Sequence, residues 1–470
     1  MIEAIDKVVN AISGFLYRPY IVPLFLILAG LIFTVRTGLI QIRLFGESIR
    51  VVSEKPKDKN GISSFGALMV STASRVGTGN IVGVSTAICI GGYGAVLWMW
   101  ITAVFGGASA FVESTLAQIY KKRDTDGGSY GGPSYYIETG LKQRWLGVIF
   151  AVVLILTYAV GYNMLASYNL QSAFSGFGFY TERRTPAVIG AILAVLFAVC
   201  VLGGAKRLTK ITGVLVPVMG VVYILVSLLV IILNIRLLPG VLGSIFVEAF
   251  DFKAIFGGFA GSAMMQGIKR GLYSNEAGMG SAPNAAATAD VSHPVKQGLV
   301  QMLSVFIDTL LICSATALMC LCSGVAPAEE LQGAPYVQAA MRNALGSAGP
   351  VFIALSMCLF AFTTLIGNYY YCEGCLKYIL KRNPGKAFMT AFRVLATVIV
   401  FLGALISAGL AWDTADMFQA IMVVINIPVI LLLGNTALKA LKDYTDQRKA
   451  GKDPEFHAAD IGVSGTDFWN

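Results

Sequence analysis

The sequence predicts an all-α polytopic membrane protein of eleven spans, with the N-terminus outside and the C-terminus inside. Three observations carry this expectation. The 470 residues are 56% hydrophobic and only 13% charged, with a mean hydropathy of +0.71. The apolar residues fall in long runs separated by basic connections. Two of those runs are overlong and interrupted by glycine.

A soluble domain carries about a quarter charged residues, so a water-soluble fold of this composition lacks the polar surface to cover itself. Lipid is the solvent. The net charge of +9 does not point to nucleic acid, because the basic residues sit singly or in short groups between apolar runs, as membrane topology uses them. Residues 1–20 lack the basic start, short apolar stretch and small-residue cleavage site of a signal peptide, so the whole chain is expected to be retained. The eight cysteines lie mostly within apolar runs. Cys320-Leu-Cys322 and Cys372-x-x-Cys375 have no third and fourth ligand near them in sequence, and the histidines are His293 and His457; these cysteines read as helix packing.

Spanning a bilayer takes about 20 mostly apolar residues. Segments of that kind run over 20–36, 62–90, 94–120, 146–174, 187–202, 211–234, 254–289, 295–323, 350–376, 389–409 and 414–438. With the N-terminus outside, 24 lysines and arginines fall in inside connections and 7 in outside ones, the bias that fixes orientation. Setting the first span aside leaves ten, and the first of each five is the overlong, glycine-rich one. One group enters from inside and the other from outside, which makes an inverted five-plus-five repeat. The domains are therefore an extra N-terminal helix with its basic connector (1–61), a first repeat (62–234), an outside connection (235–253), a second repeat (254–438) and an inside tail (439–470).

Paired interrupted helices at matching places in two halves point to a transporter binding site. Glycines also serve simple helix packing, and that suffices for Gly106-Gly107 and Gly203-Gly204. It does not suffice for Gly77-Thr78-Gly79-Asn80, where polar groups and glycine coincide. In hydrocarbon a helix unwinds only where something else satisfies the freed backbone. The N–H groups opening the next half-helix favour an anion such as a substrate carboxylate. The carbonyls of the preceding half suit a hard cation such as sodium, which takes oxygen ligands.

The partner break is expected in the run Phe256 to Gly267. Carbonyls near Ala263 to Met265 would accept from a substrate ammonium, Met264 and Met265 would line an adaptable side-chain pocket, and Gln266 belongs to the same run. Thr363-Thr364 adds two adjacent hydroxyls in mid-span. Charges within spans are functional candidates by default. Arg75 lies just inside the first break, and Lys269, Arg270 and Glu276 are expected inside the second. Pairing of Arg75 with Glu276, Glu113 or Asp308 would form an inner gate, or else a permanent brace between helices.

These residues resemble the alanine/glycine:cation symporters, also called sodium:alanine symporters. The likeness covers nearly the whole chain. It is most specific at Arg75-Val-Gly-Thr-Gly-Asn-Ile-Val-Gly83 and Lys269-Arg-Gly-Leu-Tyr-Ser-Asn-Glu-Ala-Gly-Met-Gly-Ser-Ala-Pro283, and continues in Gly91 to Trp100 and Phe362 to Tyr371. The resemblance implies the fold of the neurotransmitter:sodium symporters. It implies that Gly77, Thr78 and Gly79 hold the substrate carboxylate, and that carbonyls of Ala73, Val76 and Phe360 with the hydroxyls of Thr363 and Thr364 hold sodium. Ala166 and Asn368 stand where some members carry Gln and Trp, so the side-chain pocket is expected to differ there.

The implied activity is sodium-coupled uptake of small neutral amino acids, alanine or glycine first, by alternating access in the cell membrane, with the monomer sufficient. Proton coupling through Glu113 or Asp308, with serine or glutamine as substrate, is the alternative. A channel would call for repeated pore-lining polar residues or subunit symmetry. An enzyme would call for a nucleophile with its base, or a metal cluster, and the sequence offers neither.

Overall fold

A computed structural model describes residues 2–56, 61–124, 127–251 and 261–469. The chain is almost wholly helical, with only a two-residue antiparallel pair, Lys122–Arg123 with Ser129–Tyr130. Among the described residues, seven helices are long and apolar enough to cross a membrane, and Val22–Arg36, Gly79–Gly91 and Thr185–Val201 are shorter apolar ones. Thr185–Val201 and Gly204–Leu233 turn Val188, Ile192, Val195, Val218 and Val221 outward, an arrangement that only a lipid surround makes favourable.

The first overlong run becomes two helical pieces. Ser63 caps Ser64–Arg75 by accepting from the Gly66 N–H at 3.0 Å. The helix stops at Arg75, and Val76 has ψ 88°, well outside helical geometry. The chain resumes as a π-helical turn, Gly79–Gly83, that passes into Val84–Gly91. Two other helices carry π-helical stretches, Leu156–Tyr162 within Arg144–Ser172 and Phe306–Cys313 within Pro294–Leu321. Such widened turns are rare and concentrate at functional sites. Here they carry Asn80, Tyr158, Tyr162 and Asp308.

The second overlong run leaves helical geometry at Ser262, inside the expected run Phe256 to Gly267, and has a longer break further on. Phe256 to Ala260 lie outside the described residues. Ala263–Asn275 is a regular helix capped by Ser262, whose hydroxyl accepts from the Met265 N–H at 3.3 Å. The break follows at Glu276, Gly278 and Gly280, which have φ of 54°, 84° and 82°. A left-handed glutamate in a buried segment is strained unless its surroundings hold it. The helix then restarts only briefly, at Pro283–Ala286.

The ends of the two broken runs meet. Asp290 N–H donates to the Ile62 carbonyl at 2.8 Å, just ahead of the first run and just behind the second. This end of the molecule also carries the basic connections and the tail. Trp469 Nε1 donates to the Gln118 carbonyl at 2.7 Å, and the Lys121 ammonium lies 3.8 Å from the centre of the Phe468 ring. Burial pushes the Lys121 ammonium down to about 7. Helices too short to span complete the fold: Ile2–Leu16, Pro133–Leu141, Leu238–Glu248 and Ala334–Leu345. The connection at 235–253 is thus partly helical.

Candidate functional site

The core around the two breaks is polar. Arg75, Thr78, Asn80, Glu113, Asn163, Glu276, Asp308, Thr364 and Asn368 are all buried. Burying so many such groups is unfavourable unless they partner one another or a ligand.

At the first break, the Gly77 N–H donates to Asn80 Oδ1 at 2.8 Å. Asn80 Nδ2 in turn donates to Asp308 Oδ1 at 2.7 Å and to Ser274 Oγ at 3.1 Å. Asn80 thus caps the freed amide and fastens the first break to Asp308. Thr364 lies directly against Gly77, where any Cβ would overlap Thr364 Oγ1. Thr364 Oγ1 is buried and has no hydrogen-bond partner among the described residues. Its neighbour differs: Thr363 Oγ1 donates to its own helix, to the carbonyls of Leu359 at 3.0 Å and Phe360 at 3.1 Å. Ala73, Val76 and Phe360 are fully buried around this point. A hydroxyl oxygen facing non-helical backbone carbonyls is chemistry that could hold a hard cation through its lone pairs. Thr364 Oγ1 stands against the Gly77 turn, whereas Thr363 Oγ1 lies 3.6 Å from the Met219 sulfur.

Thr78 Oγ1 accepts from Asn169 Nδ2 at 3.1 Å, and the Tyr273 ring covers Gly79, where a Cβ would meet ring atoms at 2.6 Å. Tyr273 belongs to a continuous run of aromatic rings. Tyr371, Tyr158, Tyr162, Tyr273 and Trp412 follow one another with centroid separations of 5.1, 4.9, 4.8 and 5.3 Å. Beyond Trp412 lies a cavity of about 430 Å³, lined by Val82, Thr86, Asn169, Arg270, Gly333 and Trp412 among others. At the basic end a second cavity, of about 270 Å³, is lined by Ile62, Asn284, Tyr370, Lys377 and Phe468 among others.

At the second break, Ser74 Oγ lies 2.9 Å from Glu276 Oε1, and Ser281 Oγ donates to Glu276 Oε2 at 2.9 Å. Arg75 Nε approaches Glu276 Oε2 at 3.9 Å, while Arg75 Nη1 donates to the Gln301 carbonyl at 3.3 Å. Of the three acids named as partners for Arg75, Glu276 is therefore the one at ion-pair distance. Glu113 instead accepts from the Gly278 N–H at 3.3 Å and from Asn426 Nδ2 at 2.8 Å. Asp308 accepts from Asn80, Ser274 and Thr309.

One expected placement changes. Ala263, Met264, Met265 and Gln266 form the first turn of a capped helix, and a Cβ on Gly91 would lie 2.9 Å from Gln266 Cβ. Gly91 is the far end of the helix that begins after Gly79, roughly 18 Å away at 1.5 Å per residue. The structure does not bring these four residues to the first break, because the Ser262 cap commits their backbone to helix. Lys269 and Arg270 follow Ser262 and precede the turn at Glu276, with Arg270 lining the larger cavity. There Arg270 forms two hydrogen bonds to Asp416, at 3.0 and 3.2 Å, and stacks 4.0 Å from the Trp412 ring. Lys269 reaches the same carboxylate at 3.4 Å. Glu276 lies beyond the run Phe256 to Gly267, in the longer left-handed break.

Ala166 is buried on the Asn163–Ser172 helix, and Asn368 bridges Ser74 at 2.8 Å and Asn163 at 3.0 Å. Ser74, Asn163, Asn169, Tyr273 and Asp416 are site residues that reading by sequence missed. Ser74 and Tyr273 lie beside or within runs already singled out. Nothing local marks Asn163, Asn169 or Asp416, whose partners are distant in the chain.

A solved structure of a mutant Eremococcus coleocola manganese transporter superposes with a TM-score of 0.54 at 13% identity, over 85% of this chain and 84% of that one. This likeness shows a shared fold. The chain is 45% identical to the amino-acid carrier protein AlsT of Bacillus subtilis (strain 168), over 99% of this chain and 97% of that one. It is 37% identical to the sodium/alanine symporter AgcS of Methanococcus maripaludis, over 94% of this chain and 98% of that one. A family model described as the sodium:alanine symporter family matches residues 2–458. The chain therefore belongs to the sodium:alanine symporter family, which makes it a multi-pass cell-membrane protein for sodium-coupled amino-acid symport.

Proposed function

We propose that this chain takes up small neutral amino acids, such as alanine and glycine, together with sodium, by alternating access around the first break. The observation that carries the reading is Thr364 Oγ1, buried, unpartnered among the described residues and pressed against Gly77. Sodium there would be held by that hydroxyl and by carbonyls of Ala73 and Val76, with Phe360 and Thr363 behind it. The N–H groups of Thr78 and Gly79 open the next helical piece and would receive the substrate carboxylate. A cation that fixes the Val76–Gly77 turn would thereby order the carboxylate site, which is a reciprocal coupling between two ligands.

In this reading the basic end is cytoplasmic, the ten core helices form the inverted repeat, and the monomer suffices. Alternating access would expose the site first to the Trp412 cavity and then to the Asn284 cavity. Arg270 with Asp416 stands on the first route, and Arg75 with Glu276 on the second.

The test is sodium-driven alanine uptake into proteoliposomes by the protein and by Thr364→Ala. The variant should need about tenfold more sodium for half-activation, a change of about 1.4 kcal/mol, while the ranking of competing amino acids is retained. Sodium-independent uptake in both proteins would refute the assignment. Proton coupling is the second reading, favoured by the buried Asp308 carboxylate joined to both broken runs through Asn80 and Ser274. Uptake driven by a pH gradient without sodium, and lost in Asp308→Asn, would establish it.

A further inference from the structure

Asn163, Ser167 and Ala166 occupy one face of the Asn163–Ser172 helix, three and four residues apart. On the facing helix, Ala348–Leu380, Thr364 and Asn368 are likewise one turn apart. Asn368 meets Asn163 at 3.0 Å and Ser74 at 2.8 Å, while Thr364 abuts Gly77. The two faces therefore meet alongside the first break. Ala166 contributes only a methyl group to this seam.

The seam leaves polar atoms unspent. Asn163 Nδ2, Ser167 Oγ and Thr364 Oγ1 are all buried and without hydrogen-bond partners among the described residues. Thr364 is accounted for by sodium in the reading above, but the other two are not. An unpaired buried polar group is costly, and the relay leading to Asn163 cannot remove the deficit by turning amides over. The Ser74 hydroxyl has one proton, shared between Glu276 Oε1 at 2.9 Å and Asn368 at 2.8 Å. If the proton goes to Asn368 Oδ1, Asn368 Nδ2 donates to Asn163 Oδ1, and the Asn163 N–H groups remain free. If it goes to Glu276, the Asn368 amide turns to donate to Ser74, Asn163 donates to Asn368, and Asn163 Oδ1 remains free. Either way one end of the Asn163 amide is left for something else.

We propose that Asn163, with Ser167 beside it, is a specificity-determining residue that hydrogen-bonds a hydroxyl or carboxamide on the substrate side chain. Both groups donate and accept, so they satisfy either orientation of the amide. An alanine methyl satisfies neither. Within the small neutral class, the preferred substrates are then polar members, typified by serine and glutamine, with alanine carried more weakly. A site built to hydrogen-bond a substrate rejects the analogue that leaves its polar groups unpaired. This inference rests on symport at the first break.

The experiment uses the full chain in proteoliposomes with an inward sodium gradient. KM and maximal rate are measured for labelled serine, glutamine and alanine, in the unaltered protein and in Asn163→Ala and Ser167→Ala. The unaltered protein should show a lower KM for serine or glutamine than for alanine. Asn163→Ala should raise the serine or glutamine KM about tenfold, leave the alanine KM within twofold, and keep the sodium dependence. Ser167→Ala should produce the same pattern at about threefold and serves if Asn163→Ala does not fold. Equal loss for all three substrates, or an unaltered protein that prefers alanine, overturns the proposal while leaving symport intact. No sodium-driven uptake of any of the three would instead overturn the transport reading beneath it.

Discussion

The two interruptions look alike in outline and differ in how their freed backbone is satisfied. The first, Val76 to Gly79, is built from neutral residues and ends in an open hydroxyl: Asn80 caps the Gly77 N–H, and Thr364 Oγ1 has no partner among the described residues. The second, Glu276 to Gly280, is closed on itself. The Gly278 N–H is taken by Glu113 and its carbonyl by Asn426 at 2.9 Å, while the Glu276 carboxylate is held by Ser281 and faces Arg75. The contrast teaches that a break in a buried helix is not by itself a ligand site. One leaves a buried hydroxyl open beside its turn, and the other ties its freed backbone to neighbouring side chains.

The comparison can be broken most severely at the brace. Arg75→Ala leaves Glu276 buried without its cation, and removing one partner of a buried pair costs about 3–5 kcal/mol. Thermal unfolding in detergent should show this loss, and Arg75→Ala with Glu276→Gln should recover most of it. If Arg75→Ala keeps normal stability, normal uptake and normal accessibility from the basic end, Arg75 is neither brace nor gate.

Next in size is Gly280→Ala. A side chain there meets left-handed backbone strain and also Pro133, Asn426 and Phe150, at 2.7 to 2.9 Å. Strain and overpacking together amount to about 2–4 kcal/mol. Gly77→Ala sharpens the contrast, because its overlap is with Thr364 alone among nearby residues. It should abolish sodium activation while the protein melts within a few degrees of the unaltered chain. Equal melting losses in both variants would erase the distinction.

The smallest effect belongs to Thr363→Ala. That hydroxyl lies toward Met219, 3.6 Å from its sulfur, and bonds carbonyls of its own helix. Its removal should change half-activation by sodium less than twofold, against about tenfold for Thr364→Ala.

Much of the frame was legible from composition and the lengths of apolar runs, because lipid imposes both. Gly77-Thr78-Gly79-Asn80 was legible because its few adjacent residues combine poor helix formers with polar groups. The interruption at Ser262 falls inside the run Phe256 to Gly267, where glycine content points. The longer break was not legible, because Glu276 adopts a left-handed conformation that no propensity favours. Arg270 lies between the two. Its partner Asp416 lies 146 residues away, and no local pattern announces so distant a pairing. Short helices such as Leu238–Glu248 escaped because a search for bilayer-length runs passes over them.

The row of rings from Tyr158 through Tyr162 and Tyr273 to Trp412 has a spectroscopic consequence. With centroids about 5 Å apart, light absorbed by these tyrosines is handed along the row and emitted by the indole. That indole lies against the Arg270 guanidinium, a local charge that shifts and quenches its emission. Tyr273 covers Gly79, so any ligand that moves this ring alters the last step of the handover. With Trp98, Trp100, Trp145 and Trp469 replaced, Trp412 would give an optical probe of the site, readable in detergent or in vesicles before any flux is measured.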